Sequence, residues 1–208
     1  IDVCRSNLKQ GVHTEAFSPV MVSLLKNGVI NGKKKTLLPG KHIYSVALGD
    51  HEMMEFMNDN PAVEGYPLSY TNDPEVIARN DKMISINATL QVDLSGQCNS
   101  EFLEGAQFSA TGGQLDFVRG AFNAKGGKSI LTFRSTAKKN TVSRIVPQLD
   151  AGAIVTTPRM DTHYLVTEYG AANLKGKCMR DRALAIIGIA HPDFRDPLMR
   201  EAEKMRLF

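Results

Sequence analysis

Four short β-like runs follow one another in the second half of the chain, at residues 129–133, 142–146, 153–156 and 164–167, with turn residues between them. Strands in such close succession argue against a simple βαβ repeat, in which each strand hands over to a crossover helix. Helical patterns follow them. Residues 179–190 read as a helix with Leu184, Ile186, Ile187 and Ile189 inside, and residues 197–207 as a final amphipathic helix with Leu198, Met199, Ala202 and Met205 facing inward. The expected class is α/β, a mixed sheet covered by helices, with its connectivity left open. At 208 residues and 42% hydrophobic, the chain can bury a sizeable core, and one large domain is preferred over two small ones.

Local signals place further elements. Ser18-Pro19 starts a helix, the hydroxyl as N-cap and the proline at the first helical position, with Val20, Met21, Leu24 and Leu25 as its apolar face and Gly28 as its stop. Glu15 is therefore expected just ahead of a helix N-terminus. Asn31-Gly32 reads as a turn and residues 44–48 as a strand. Asp50 caps a short helix carrying Met53, Met54, Phe56 and Met57, which Asn60-Pro61 ends; methionine there reads as core filling. Alternation over residues 83–94 suggests one long strand, and residues 116–124 a helix leaving a glycine turn.

The net charge of +3, from 25 basic and 22 acidic residues, is too small to suggest nucleic acid or a membrane surface as partner. Basic residues are not interleaved with aromatics, and tryptophan is absent. Cys4, Cys98 and Cys178 are odd in number, far apart and without CxxC spacing, so neither a disulfide framework nor a zinc site is suggested, and a reducing cytoplasm is the expected location. No stretch approaches the roughly 18 apolar residues of a membrane span. The chain begins with Ile1 and enters a motif almost at once, which suggests a piece of a longer polypeptide whose N-terminal half is missing.

Two features suit acyl transfer. Glu15 in Gly11-Val12-His13-Thr14-Glu15 supplies a carboxylate that can act as covalent nucleophile, and Thr111-Gly112-Gly113 supplies a turn whose backbone N–H groups a ligand can approach closely. Each has a plainer reading, a near-cap carboxylate and an ordinary tight turn ahead of a helix. The loop at residues 135–141 carries Lys138 and Lys139, point charges suited to phosphate or, equally, a solvated loop. Lys33-Lys34-Lys35 reads as a solvated turn. His13 could orient Glu15; as a metal ligand it lacks partners. His42, His51, His163 and His191 show no H-E-x-x-H or H-x-x-E-H spacing, so no metal site is expected. Neither a G-x-G-x-x-G fingerprint nor a G-x-S-x-G elbow is present.

Taken together, GVHTE at 11–15, the stretch 60–81, TGGQLDFVRGA at 111–121, STAKKNTVSRIVP at 135–147, TTPRMDTHYLVTEYG at 156–170 and IAHPDFRDPL at 189–198 closely resemble the C-terminal domain of the acetyl-CoA hydrolase/transferase family. The nearest branch is that of the 4-hydroxybutyrate and butyryl-CoA:acetate CoA-transferases. The resemblance implies one half of a CoA-transferase (NagB/RpiA-like) two-domain fold, with residues 1–208 as its C-terminal catalytic domain. It implies Glu15 as the catalytic glutamate, forming acyl-glutamyl anhydride and glutamyl-CoA intermediates. Gly112 and Gly113 would form the oxyanion hole, and Asn87, Gly113, Gln114 and Lys138 would contact coenzyme A, which is a substrate and not a resident cofactor. Partners implied are an acyl-CoA, a short-chain carboxylate, the N-terminal half of the same protein and further copies in a homo-oligomer. Acyl-CoA hydrolysis and a non-catalytic CoA-binding domain that keeps the fold stand as alternatives. The chain departs from the family pattern in two places: Ala110 replaces the first glycine of Gly-x-Gly-Gly, where a need for positive φ would strain the turn, and Lys9-Gln10 replace an acidic residue and a leucine.

Overall fold

Prolines, glycines and polar pairs interrupt almost every apolar run, so the strands of this protein are short. The computed structural model describes residues 11–207; Cys4 and Lys9-Gln10 lie outside the described residues. Where composition favoured one core, contacts divide the chain into two compact units, one running to Met83 and including Asn123–Gly127, the other comprising Ile84–Phe122 and the chain from Lys128 onward. The chain passes from one to the other three times, and no single linker separates them.

The first unit holds β1 (Ala16–Phe17), α1 (Pro19–Lys26), β2 (His42–Tyr44), β3 (Val46–Ala47), α2 (His51–Met57), β4 (Val63–Gly65), α3 (Leu68–Thr71) and α4 (Pro74–Ala78). β1 pairs with β3 and β2 with β4, both in parallel. Its core is Val12, Phe17, Val22 and Met53. Met53 is the core filler expected of it, whereas Met54 is exposed. The Asp50 carboxylate caps α2 by accepting from Met53 N–H at 3.0 Å. Ser18 stands at the N-cap of α1 without a side-chain cap bond, and the buried residue of that helix is Val22, while Val20 is 57% exposed. The predicted strand 44–48 is broken at Ser45. Lys35 is not a solvated turn residue: its Nζ donates to the carbonyls of Val12 and Lys41 at 3.1 and 2.8 Å, and burial pushes its pKa down to about 8.

The second unit contains β5 (Ile84–Ala88), β6 (Gln91–Asp93), β7 (Cys98–Asn99), β8 (Phe102–Leu103), β9 (Ala106–Gln107), α5 (Gln114–Asn123), β10 (Lys128–Thr132), β11 (Thr136–Ala137), β12 (Val142–Ser143), β13 (Ile145–Val146), β14 (Tyr164–Thr167), β15 (Gly170–Asn173), α6 (Met179–Gly188) and α7 (Pro192–Lys204). Its main sheet has the order β15-β14-β10-β5, with β5, β10 and β14 mutually parallel and β15 antiparallel at one edge. Register pairs Ser85 with Ser129, Leu131 with Leu165 and Leu165 with Ala172. The face bearing these residues packs on Val118 of α5, Ala183, Ile186 and Ile187 of α6, and Leu198 and Ala202 of α7, forming the main core.

The predicted strand 83–94 divides after Thr89: its N–H still bonds Thr132 O of β10, but its hydroxyl and the next N–H, that of Leu90, both bond Asn99 O at 2.9 Å, and β5 and β6 lie in different sheets. The run 142–146 divides at Arg144 in the same way, its N–H bonding Ser135 O. Residues 153–156 form no strand; Thr156 and Thr157 both donate to the Cys98 carbonyl. The last helix begins five residues earlier than its apolar stripe suggests, because the His191 ring accepts from Asp193 N–H and Pro192 takes a first-turn position. In α6, Leu184 is 38% exposed, not inside. The buried stripe runs through Arg182, Ala183, Ile186 and Ile187. No described helix is long and apolar enough to cross a membrane.

Candidate active site

In the first unit Glu15 is held through its main chain by a parallel pairing that begins at the His13–Ile43 bridge. Its carbonyl accepts from Ser45 and Val46 N–H at 3.0 and 2.9 Å, which fixes the Cα while the carboxylate stays half-buried. Helix α1 starts at Pro19 with Ser18 as N-cap, as expected, and strand β1 lies between it and Glu15 in the chain. What meets the carboxylate is an amide. Asn72 Nδ2 donates to Glu15 Oε2 at 2.6 Å, a hydrogen bond to an anion of the stronger class.

Asn72 is the C-cap of α3, and the residue before it, Thr71, is held by His13, two positions from Glu15. His13 is buried, with Nε2 2.9 Å from the Thr71 carbonyl, so Nε2 carries the proton and donates. Burial, the main cause, lowers the pKa of His13, and nearby Lys35 adds to the effect. The ring thus anchors the residue next to Asn72. Asn72 Oδ1 is buried with no hydrogen-bond partner among the described residues. Asn72 lies 57 positions from Glu15. The stretch 60–81 in which it falls was a recognisable block, but nothing local singled out this amide.

In the second unit the other candidates gather at one end of the sheet. Parallel β5, β10 and β14 finish on the same side, and in open α/β sheets ligands bind outside the carboxyl ends of strands. Asn87 is the penultimate residue of β5 and is half-buried. Gly112, at φ +53°, turns the chain into α5, Gly113 is buried, and the first N–H groups of α5 have no partner within the helix. Ala110 is not among the residues at positive φ; its methyl group is accommodated without strain. Gln114 Nε2 donates to Ser100 Oγ at 2.8 Å and Thr157 Oγ1 at 3.0 Å. Ser100 Oγ in turn donates to Thr89 Oγ1 at 3.1 Å, so the start of α5 is tied to the end of β5 by side-chain hydrogen bonds, and the Gln114 amide donors are spent on this tie.

Lys138 follows β10 in the β11–β12 hairpin, where Lys138, Lys139 and Asn140 all adopt left-handed backbone at φ +48°, +55° and +67°. Such a run in non-glycine residues costs energy and needs support. Thr141 Oγ1 donates to Lys138 O at 2.7 Å and Thr136 Oγ1 to Asn140 Oδ1 at 2.7 Å. Ser135 donates from N–H and Oγ to the Glu168 carboxylate at 2.9 and 2.8 Å; burial pushes the Glu168 pKa up, but these bonds, with the Glu168 backbone and Arg134, outweigh it and hold the carboxylate below its usual range. The Lys138 ammonium meets Glu104 Oε1 at 3.0 Å, both side chains being largely exposed. Asn72, Glu168 and Glu104 were not anticipated.

Residues 49–202 match the family described as acetyl-CoA hydrolase/transferase C-terminal domain. The 4-hydroxybutyrate coenzyme A transferase of Clostridium kluyveri is 53% identical over 194 residues, covering 93% of this chain and 45% of that protein. The butyryl-CoA:acetate CoA-transferase of Anaerostipes caccae is 43% identical over 210 residues, covering 99% and 47%. The crystal structure of RipA from Yersinia pestis superposes with a TM-score of 0.94 at 54% identity, covering 100% of this chain and 47% of that one. The chain thus spans about half the length of the curated relatives it matches.

Proposed function

Because the chain belongs to the acetyl-CoA hydrolase/transferase C-terminal domain family, we propose that it forms the catalytic C-terminal half of an enzyme that moves coenzyme A between an acyl-CoA thioester and a short-chain carboxylate. Glu15 is the nucleophile. Its carboxylate attacks the thioester carbon, the C–S bond breaks, and an acyl-glutamyl anhydride forms with CoA thiolate as leaving group. The thiolate then attacks the glutamyl carbonyl, releasing the first carboxylate and leaving glutamyl-CoA. An acceptor carboxylate attacks that thioester, and the thiolate expelled takes the acyl group from the new anhydride, which restores Glu15.

The observation that carries this reading is the 2.6 Å bond from Asn72 to Glu15. A carboxylate braced through one oxygen leaves the other to attack. The amides at the Gly112-Gly113 turn and the start of α5 suit the oxyanion of each tetrahedral intermediate. Asn87 and the strained Lys138 loop, at the same end of the sheet, suit the coenzyme, with Lys138 exchanging Glu104 for a phosphate. Gln114 supports the turn. The remainder of the acyl pocket belongs to the N-terminal half.

In full-length protein incubated with acyl-CoA, borohydride should convert Glu15 to the alcohol expected from a reduced glutamyl thioester, read by peptide mass spectrometry, and Glu15→Ala should abolish exchange of labelled carboxylate into acyl-CoA. Exchange that persists in Glu15→Ala defeats the mechanism. Free CoA released at the same rate without an acceptor carboxylate would select hydrolysis, in which water replaces the acceptor. Coenzyme A binding with no exchange would select a binding domain.

A further inference from the structure

The main sheet of the second unit is covered on one face only. On one side Ser85, Ser129, Leu131, Leu165, Thr167 and Ala172 are all buried. On the other, Ile84, Ile86 and Ala88 of β5, Ile130 and Thr132 of β10, Tyr164 and Val166 of β14 and Ala171 of β15 are exposed or half-exposed, and none is buried. Ile84 and Ile86 stand 43% and 68% exposed. Register sets them side by side: Ile86 opposite Ile130, Ile130 opposite Tyr164, Ala88 opposite Thr132 and Thr132 opposite Val166. This is the wrong pattern for a face meant for water. Its strands put isoleucine out and serine in, and parallel strands such as these three are covered on both faces in α/β proteins. A contiguous apolar patch of this kind marks an interaction surface.

The length of the relatives indicates what covers it. This chain accounts for 45% and 47% of the two transferases compared above, so more than half of each lies outside the match, and the matched domain is described as C-terminal, which leaves an N-terminal part to cover the face. We propose that the open face built by Ile84, Ile86, Ile130, Tyr164 and Val166 is the seat of that N-terminal half. The inference rests on the family assignment and on burial, and it is independent of the chemistry assigned to Glu15. Its core is aliphatic, with the exposed Lys128 at the rim, 5.9 Å from the centre of the Tyr164 ring, so the surface docked on it is apolar at its centre.

The test is thiol labelling of the full-length polypeptide carrying Ile86→Cys, with Cys178, exposed at the N-cap of α6, as internal control. Maleimide modification is read peptide by peptide by mass spectrometry and normalised to each thiol's rate in guanidinium. Position 86 should label at least about tenfold more slowly than Cys178. Equal rates at both positions overturn the proposal. Protection that disappears on dilution, in step with dissociation of a dimer by sedimentation, assigns the face to a second copy and also overturns it. Ala88→Cys, a smaller change on the same face, serves if Ile86→Cys does not fold. Labelling does not depend on turnover, so a protected face in a protein that exchanges no acyl group defeats the proposed chemistry alone.

Discussion

At the scale of single residues, the carboxylate and its amide partner carry the argument. Glu15 stood out through the block around it. Asn72 did not, because its relation to Glu15 exists only once α3 has been packed against the strand pairing. Removing the amide should cost one charge-assisted hydrogen bond, about 1.5–3 kcal/mol. In the full-length enzyme, Asn72→Ala is expected to lower kcat by about 10- to 100-fold with a KM for acyl-CoA changed only a few-fold. Asn72→Asp should be worse, since it sets a like charge against the proposed nucleophile. Steady-state exchange kinetics decide this, and an unchanged kcat would remove Asn72 from the mechanism. His13 bonds the carbonyl of Thr71, the residue before Asn72, a connection that spans 58 positions and leaves no local trace.

At the scale of elements, α6 shows why an apolar count overstates burial. Four of its positions form the inward stripe, and Arg182 takes one of them because each guanidinium nitrogen bonds a carbonyl: Nε bonds Ser95 O at 2.8 Å, Nη1 bonds Leu174 O at 3.0 Å and Nη2 bonds Arg159 O. Gly96, at φ +92°, leaves room for it; a Cβ there would lie 2.6 Å from Arg182 Nη2. Arg182→Ala should destabilise by about 3 kcal/mol, by leaving buried carbonyls unpaired and a cavity behind. Gly96→Ala should also destabilise, through strain and clash. The two should be less than additive, since they remove one shared arrangement. Leu184→Gln, on the exposed flank, should change stability by no more than about 0.5 kcal/mol. Urea unfolding monitored by circular dichroism measures all four variants, and a strongly destabilised Leu184→Gln would contradict the orientation of α6.

At the scale of the whole molecule, buried basic groups govern the response to pH. Burial lowers the pKa of His42 in the first unit and His163 in the second to about 4 each, with Lys35 adding to the effect on His42, and Lys175 and Lys128 to that on His163. Between about pH 6.5 and 4 the unfolded chain binds protons that the folded chain refuses, so stability rises with pH across that window and is lost on acidification. Each ring accounts for at most about 3 kcal/mol. Lys35, with its pKa at about 8, acts in the same direction between about pH 8 and 10.5. Unfolding free energy measured from pH 4 to 7 should climb, and His163→Phe should flatten the climb; a profile unchanged by that substitution would show that His163 is not buried in its neutral form.

Much was readable from the chain alone. Caps, turn residues and periodicity placed α1, α2, α5 and α6 to within a few residues, because a helix is decided by hydrogen bonds and side-chain spacing within a few positions of each other. The ordered blocks identified the family. Strand boundaries were not readable: residues 84–94 alternate without a break, yet the chain changes sheets where Leu90 N–H and the Thr89 hydroxyl turn to Asn99 O. Nor were the amide facing Glu15, the tie from Gln114 to Ser100 and Thr157, and the open face of the sheet, each a product of segments far apart in sequence. Apolar pattern states how much surface a segment must bury, and only the packed chain decides against what.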